Sequence, residues 1–479
     1  MSIVIKTRPP FLSQKPINTS QPDPINNMEE LTMPNELSNV QDETLELVTP
    51  VETEKDEKIQ ELMNKAQESF VLDSKVSIKF GVIGLGQAGG KIADAFASCR
   101  LPGRDTSTYP ALAINTCVAD LHALNNIPES HRVCLPNYEL GAMRRPEIGY
   151  AAISQEGVID NILDRVTRVF EGIQNIIVAA GIGGGTGTGT LQVVCDALVE
   201  KGFNVTTMVT FPRNLDSVEE RKNSTDFFDV FQELLFTGSI ASAINVDNNL
   251  LYGRYVRKVQ KSGIDIDWKI DSNMEIVKIL NEINATTGLP SSTTFDGAEL
   301  TKILFGGGCV TFGKAQIELP DSSINETIAL ELDDILHSGY LANYGNLAEA
   351  RYAGVQVLIP PELEFGTMME KVILDELKQE MPMLLGAYVG HAKIEGQKNI
   401  LIYSIVSGMG LPERAQEIAT LVQDEVSRIN EAETKRSQFT PTEINIKNPF
   451  QKTNRTKSTT NPFAKDNNSK TKNPFSKND

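Results

Sequence analysis

The densest set of groups able to grip an anion is Gly181-Ile182-Gly183-Gly184-Gly185-Thr186-Gly187-Thr188-Gly189-Thr190. Glycine has no Cβ to hold a phosphate away from the backbone N–H groups, and a helix start just after such a loop adds unsatisfied donors and a positive dipole end. The threonines supply hydroxyls. The loop lacks the Gly-Lys-Ser/Thr ending of a Walker A site, so its chemistry is phosphate binding without that lysine. A second glycine turn, Gly84-Leu85-Gly86-Gln87-Ala88-Gly89-Gly90-Lys91, has the G-x-G-x-x-G spacing of a dinucleotide site, which leaves an NAD-dependent enzyme open as a reading. Further along, Asp296 and Glu299 stand three apart, which puts two carboxylates on one face of a helix turn. Acids at a helix start commonly serve as capping groups.

Strands and helices must hold these groups in place. An apolar run at 175–180 reads as a buried strand entering the main glycine loop, and 191–198 as the helix leaving it. Residues 76–83 form a first strand before the second glycine turn, whose helix covers 91–96, and 111–116 forms the next strand. Residues 203–210 are a strand ending in Phe211-Pro212-Arg213-Asn214-Leu215-Asp216, and 243–252 are a strand and turn containing Asn248. A long helix over 272–284, with Ile276, Ile279, Leu280 and Ile283 on one face, leads to the Asp296–Glu299 pair. The sum is an α/β fold: a Rossmann-like parallel-sheet domain, a central helix, then a smaller α+β domain.

That last domain is expected to hold a strand at 308–317, helices at 328–337 and 345–352, a strand at 354–359 and a helix at 366–380. Two adjacent strands at 387–394 and 399–406 read as a hairpin. Pro412 opens a final helix to about residue 435, with Ile418, Leu421, Val422, Val426 and Ile429 as its buried stripe.

The 479 residues, 40% hydrophobic, suffice for two or three domains. Net charge is −18 and unevenly spread: residues 1–74 carry six Lys/Arg against fourteen Asp/Glu, whereas residues 441–479 carry eight against three. Residues 1–54 lack periodicity and read as disordered, before a helical stripe of Ile59, Leu62, Met63 and Ala66. The basic tail repeats one motif three times, at Asn448-Pro449-Phe450, Asn461-Pro462-Phe463 and Asn473-Pro474-Phe475, each followed two residues later by lysine. Tandem aromatic anchors in a basic segment suit multivalent binding to a partner. Five scattered cysteines and four scattered histidines offer no metal cluster and point to reduced thiols in a cytoplasm. Neither a signal peptide nor a membrane span is expected, and no membrane partner.

Gly-Gly-Gly-Thr-Gly-Thr-Gly at 183–189 resembles the signature loop of the tubulin and FtsZ superfamily of GTP-binding filament proteins. The likeness extends over roughly 77–435. Ala113-Ile114-Asn115-Thr116 followed by Leu121-His122-Ala123-Leu124 is similar to the family's second loop, with Cys117 where FtsZ has an aspartate near magnesium and Asp120 available to substitute. Leu140-Gly141-Ala142-Met143-Arg144-Arg145-Pro146-Glu147 resembles the loop that senses the γ-phosphate. The wording of the central helix, and Thr294 in the loop after it, is closer to the plasmid-segregation branch, TubZ, than to FtsZ.

The resemblance implies a GTPase holding GTP or GDP with Mg²⁺ through Gly86, Gln87, Ala88, Gly89, Gly90, Lys91, Ala142, Met143, Arg144, Gly183, Gly184, Gly185, Thr186, Gly187 and Thr188. It further implies Asp216 at the ribose, and Asn248 and Asn273 at the base. Asp296 and Glu299 would serve the nucleotide of the next subunit in a head-to-tail filament, so catalysis would be activated by polymerisation. A DNA-bound adaptor on the basic tail is the implied partner, with movement of plasmid or phage DNA as the outcome. The implied division is an acidic extension (1–54), a GTP-binding domain (55–271), the central helix and catalytic loop (272–300), an assembly domain (301–410), a last helix (411–436) and the tail (437–479). An FtsZ-like division or phage-positioning protein, and a filament that does not hydrolyse, are the alternatives.

Overall fold

Six consecutive buried residues, Phe80–Leu85, make the first strand, β1, and set the pattern for the sheet. Strands covered on both faces read as continuous apolar runs, the composition of a parallel sheet sandwiched by helices. The computed structural model describes residues 76–101, 104–289, 295–319 and 323–437. The acidic head with its expected helix, Thr294, and the basic tail with its three repeats lie outside the described residues.

In chain order, α1 (Gly86–Ala97) follows β1, then β2 (Ala111–Asn115), α2 (Val118–His122) and β3 (Arg132–Cys134). Next come α3 (Pro146–Ile153), α4 (Val158–Val169), β4 (Asn175–Gly181), α5 (Thr186–Glu200), β5 (Asn204–Phe211), α6 (Val218–Thr237), β6 (Ser242–Asp247) and α7 (Asn248–Ser262). The central helix is α8 (Trp268–Thr286), followed by α9 (Gly297–Leu304) and β7 (Cys309–Ile317). Then α10 (Ile324–His337), β8 (Tyr352–Ile359), α11 (Thr367–Glu380), β9 (Gly386–Lys393), β10 (Ile400–Met409) and α12 (Glu413–Ser437) complete the α-helices and strands of the described residues.

One ten-stranded sheet, ordered β3-β2-β1-β4-β5-β6-β7-β10-β8-β9, runs through both halves. It is parallel from β3 to β7. The junction of the halves is narrow, since β6 and β7 pair only through Ala243 with Cys309 and Ile244 with Val310. The expected hairpin is not formed: β10 runs antiparallel between β7 and β8, while β9 pairs parallel with β8 on its far side. Adjacent extended runs separated by Glu395-Gly396-Gln397-Lys398 look like a hairpin, but β10 is the more buried strand and takes the interior place. The helix expected over 345–352 is a single 3₁₀ turn at Leu347–Glu349 before β8.

Helix starts also fall earlier than the apolar patterns suggest. The second glycine turn runs into α1 from Gly86, and in the main loop α5 begins at Thr186, so that Gly187 and Gly189 fall in its first turn while Gly183–Gly185 precede it. Asn248 opens helix α7, whose cap Asp247 accepts from the Asn249 N–H at 2.8 Å, and is not a turn former. On α12, Ile418 and Val422 are buried but Val426 and Ile429 are exposed, so the buried stripe is shorter than expected. Of the described residues, those up to Val426 form one compact unit, and those from Ser427 fall in a second.

The central helix is tied to the root of β1 by a buried amide. Asn284 accepts from the Ile78 N–H at 2.8 Å and donates to the Ile78 carbonyl at 2.9 Å, as a neighbouring strand would. Beside it, the Tyr109 hydroxyl donates to Asn281 at 2.9 Å while its ring stacks on Phe80 with centroids 4.4 Å apart.

Candidate functional site

A cavity of about 490 Å³ opens at the carboxyl ends of β1, β2, β4 and β5. That is where an open α/β sheet presents its loops and helix N-termini to a ligand. Three loops meet there. Gly86 needs its left-handed φ of +67° to turn β1 into α1, and a Cβ on it would lie 2.9 Å from the Gly187 nitrogen. Thr116 and Thr186 hydroxyls lie 2.7 Å apart, joining the β2 end to the first turn of α5. Asn223 of α6 donates to the carbonyls of Arg144 (2.7 Å) and Gly183 (3.1 Å), tying the 140–145 loop to the main glycine loop.

Among the residues expected to bind nucleotide, Gly86, Gln87, Ala88, Ala142, Met143, Arg144, Gly183, Gly184, Gly185, Thr186, Gly187, Asp216 and Asn248 line this cavity. The others do not. A Cβ on Gly89 would sit 2.0 Å from the Ala179 carbonyl, so this glycine lets α1 lie against β4. Gly90 is buried near Leu124, Lys91 is half-buried on α1, and Thr188 is buried with its hydroxyl 3.5 Å from the Gly181 carbonyl. Asn273 lies in the second turn of α8, because the helix begins at Trp268; the cavity meets Trp268 and Lys269 instead. The signal for that earlier start was Asp267, whose side chain caps the helix by accepting from the Lys269 N–H at 2.9 Å.

The charged groups are mostly engaged. Arg144, with Met143 in left-handed backbone at φ 57° and 49°, pairs with Glu220 at 3.1 Å, and Arg145 pairs with Glu147 at 2.8 Å. Asp216 accepts from the Arg213 backbone N–H and from two of its guanidinium nitrogens. That guanidinium lies over the rings of Trp268 (4.3 Å) and Tyr252 (4.8 Å). Asp120 projects into the cavity with its two oxygens held by the amides of Gln87 (3.0 Å) and Asn115 (3.1 Å). A single oriented carboxylate beside a phosphate cradle fits Mg²⁺, which takes one or two carboxylates and completes its shell with phosphate and water. Cys117 lines the cavity but offers no oxygen.

Asp296 and Glu299 are elsewhere. Asp296 caps α9, accepting from the Ala298 N–H at 2.7 Å. The two acids share a hydrogen bond, which holds Asp296 below the usual carboxylate range and pushes Glu299 above it. Their helix is fixed at both ends: Phe295 is buried against Gly354 and Gly390, and the Leu304 carbonyl accepts from the Thr206 and Ser242 hydroxyls. Gly297 packs against the Ser77 carbonyl, just before β1. The acids thus sit at the amino end of β1 and the cavity at its carboxyl end, and six residues at about 3.3 Å each separate them by roughly 20 Å.

Comparison with known proteins gives the same architecture. Residues 79–253 match the GTPase domain of the Tubulin/FtsZ family, and residues 282–419 match the C-terminal domain of the TubZ-like tubulin/FtsZ proteins. The tubulin-like protein TubZ of Bacillus cereus is 26% identical over 384 residues, 74% of this chain and 84% of that protein. The TubZ of Bacillus thuringiensis subsp. israelensis is 27% identical over 383 residues, 72% and 76% of the two chains. Among solved structures, the GTPγS-form protofilament of the Bacillus thuringiensis serovar israelensis TubZ matches with a TM-score of 0.66 at 24% identity, covering 76% of this chain and 96% of that one. The two-stranded filament of TubZ-Bt matches with a TM-score of 0.67, also at 24%, covering 79% and 96%. The dinucleotide reading of Gly84–Gly89 gives way to this GTPase-domain match.

Proposed function

The chain belongs to the tubulin/FtsZ superfamily, with a C-terminal domain of the TubZ-like type, and from that premise we propose that it is a GTPase whose active site is completed by a second copy. The observation that carries this reading is the separation of its parts. Asp296 and Glu299 cannot reach the cavity of their own subunit from the opposite end of β1. Stacking two copies head to tail would bring the acids of one to the cavity of the next. The rim of the cavity suits such docking, since Leu140, Met143 and Leu215 stand 92%, 72% and 79% exposed around it.

In this reading the glycine loops seat the phosphates of GTP on backbone N–H groups, with Thr186 at the start of α5. Bound Mg²⁺, held by Asp120 and the phosphates, would offset the charge that develops there. Asn248 and the Trp268 edge face the nucleoside end. Asp296 and Glu299 of the neighbour orient a water in line with the γ-phosphate, so catalysis is positioning and charge stabilisation. GTP-bound ends grow and GDP-bound ends shed subunits in the cytoplasm, and the basic tail links the filament to plasmid or phage DNA through a bound adaptor. An FtsZ-like role in division or phage positioning is the alternative.

GTP turnover per molecule, measured against protein concentration together with light scattering, tests this directly. Turnover should rise steeply where scattering appears. A rate per molecule that is constant on dilution below assembly defeats the proposal.

A further inference from the structure

The wall of the cavity at 212–216, which contributes Pro212, Arg213 and Asp216, is held from outside by two buried arginines. Arg414, in the first turn of α12, donates to the Pro212 carbonyl at 2.8 Å. Arg221, in α6, donates to the carbonyls of Asn214 (2.5 Å) and Asp216. Each arginine is 3% exposed, and neither lines the cavity.

Both connect that wall to α12. Arg414 also places its Nε 3.3 Å from Asp247 and donates to Glu417 at 3.0 Å. Asp247 caps α7, whose first residue, Asn248, lines the cavity. Arg221 reaches across to Glu425, three turns along α12, and donates to both of its carboxylate oxygens at 2.6 Å. Between these two points Ala415, Ile418 and Val422 are buried. The first turns of α12 are therefore bolted at each end to the segment that shapes the nucleoside side of the cavity, through charge-assisted bonds from buried guanidinium groups to acids that keep part of their surface in solvent.

We infer that Arg414 and Arg221 are positioning residues that make nucleotide binding and the seating of α12 reciprocally dependent. This rests on the nucleotide reading above. A ligand that orders the 212–216 wall must also favour the seated helix, and a change that loosens the helix must weaken the ligand by the same factor.

The test uses the full chain. GDP is titrated while following the fluorescence of Trp268, the single tryptophan, and amide hydrogen exchange over 413–426 is measured with and without GDP. In the wild type, GDP should slow exchange in that helix. Glu425→Gln, which leaves the cavity lining intact, should raise the GDP Kd about tenfold, within the roughly 5–150-fold usual for coupled sites, and should remove most of the protection. Glu425→Asp should restore part of both, and deletion of 438–479 should change neither. The inference is overturned if Glu425→Gln and Arg414→Lys bind GDP like the wild type while exchange in 413–426 is indifferent to GDP. A wild type that binds neither GDP nor GTP overturns the nucleotide reading itself, and this inference with it.

Discussion

Glu282 and Lys314 meet at 2.6 Å in a nearly dry site, with side chains 4% and 18% exposed, where the central helix faces the first strand of the C-terminal half. The Lys314 ammonium also lies 5.3 Å from the centre of the Tyr403 ring. A buried pair of this kind is costly to break, since the surviving charge has no water to return to. Glu282→Leu should lower unfolding stability by about 3 kcal/mol, whereas the double change Glu282→Met with Lys314→Met should recover most of that loss. Urea unfolding midpoints of the three proteins decide it, and a double variant no more stable than Glu282→Leu would show that the loss does not come from the stranded Lys314 charge.

Asp296→Ala should leave GTP affinity within error of the wild type and reduce turnover by about 100-fold or more, the usual scale for losing a group that handles the attacking water. Binding is read from Trp268 fluorescence and turnover from phosphate release. Unchanged hydrolysis would reduce Asp296 to the cap it forms on α9.

Gly86→Ala should abolish nucleotide binding while the protein stays folded. The new methyl group would meet the Gly187 nitrogen at 2.9 Å, and the residue would be held at a φ of +67°. The backbone strain is about 1–3 kcal/mol, small enough for the fold to survive. Circular dichroism with a GDP titration separates the two effects; wild-type affinity would mean that the loop relaxes without cost.

At the paired ends of α10 and α11, the His337 ring lies between acids. Its Nδ1 is 3.0 Å from the Asp333 carbonyl, and its Nε2 is 3.3 Å from Glu380. The bond to the Asp333 backbone carbonyl raises its proton affinity above the ordinary 6.5; burial opposes it, and the charges of Asp333 and Glu380 add to the rise. Glu376, itself pushed up by burial, faces the same ring. Because the folded value is raised, this contribution is fully present below pH 6.5 and is lost as pH climbs through the folded value. The site is half exposed, so the change is about 0.5 kcal/mol after solvent screening. Denaturant midpoints of the wild type should fall from pH 6 to pH 8 more than those of His337→Gln; parallel profiles would remove the histidine from the account.

The parallel half of the sheet and the three loops at its carboxyl edge were legible because apolar strands and glycine turns are local signals. Gly183–Gly187 line the cavity, as their spacing suggests, but Gly89 and Thr188 cannot be told from them in the sequence, since their neighbours Ala179 and Gly181 are distant in sequence or hidden by the fold. The start of α8 at Trp268 is not marked by its apolar stripe, since Ile276–Ile283 lie in the later turns of the helix and only the Asp267 cap marks its beginning. The order of β8, β9 and β10 depends on which strand can be buried on both faces, a global choice that no short window contains.

The interior position of β10 sets a schedule for making this molecule. On a ribosome, β1 to β6 can zip together as they emerge, but β8 and β9 have no bond to the rest of the sheet until residues 400–409 arrive to bridge them to β7. A nascent chain stopped short of that strand carries two open edges that invite another chain. The emergence of β10 is therefore the moment at which the facing edges of β7 and β8 are closed to other chains.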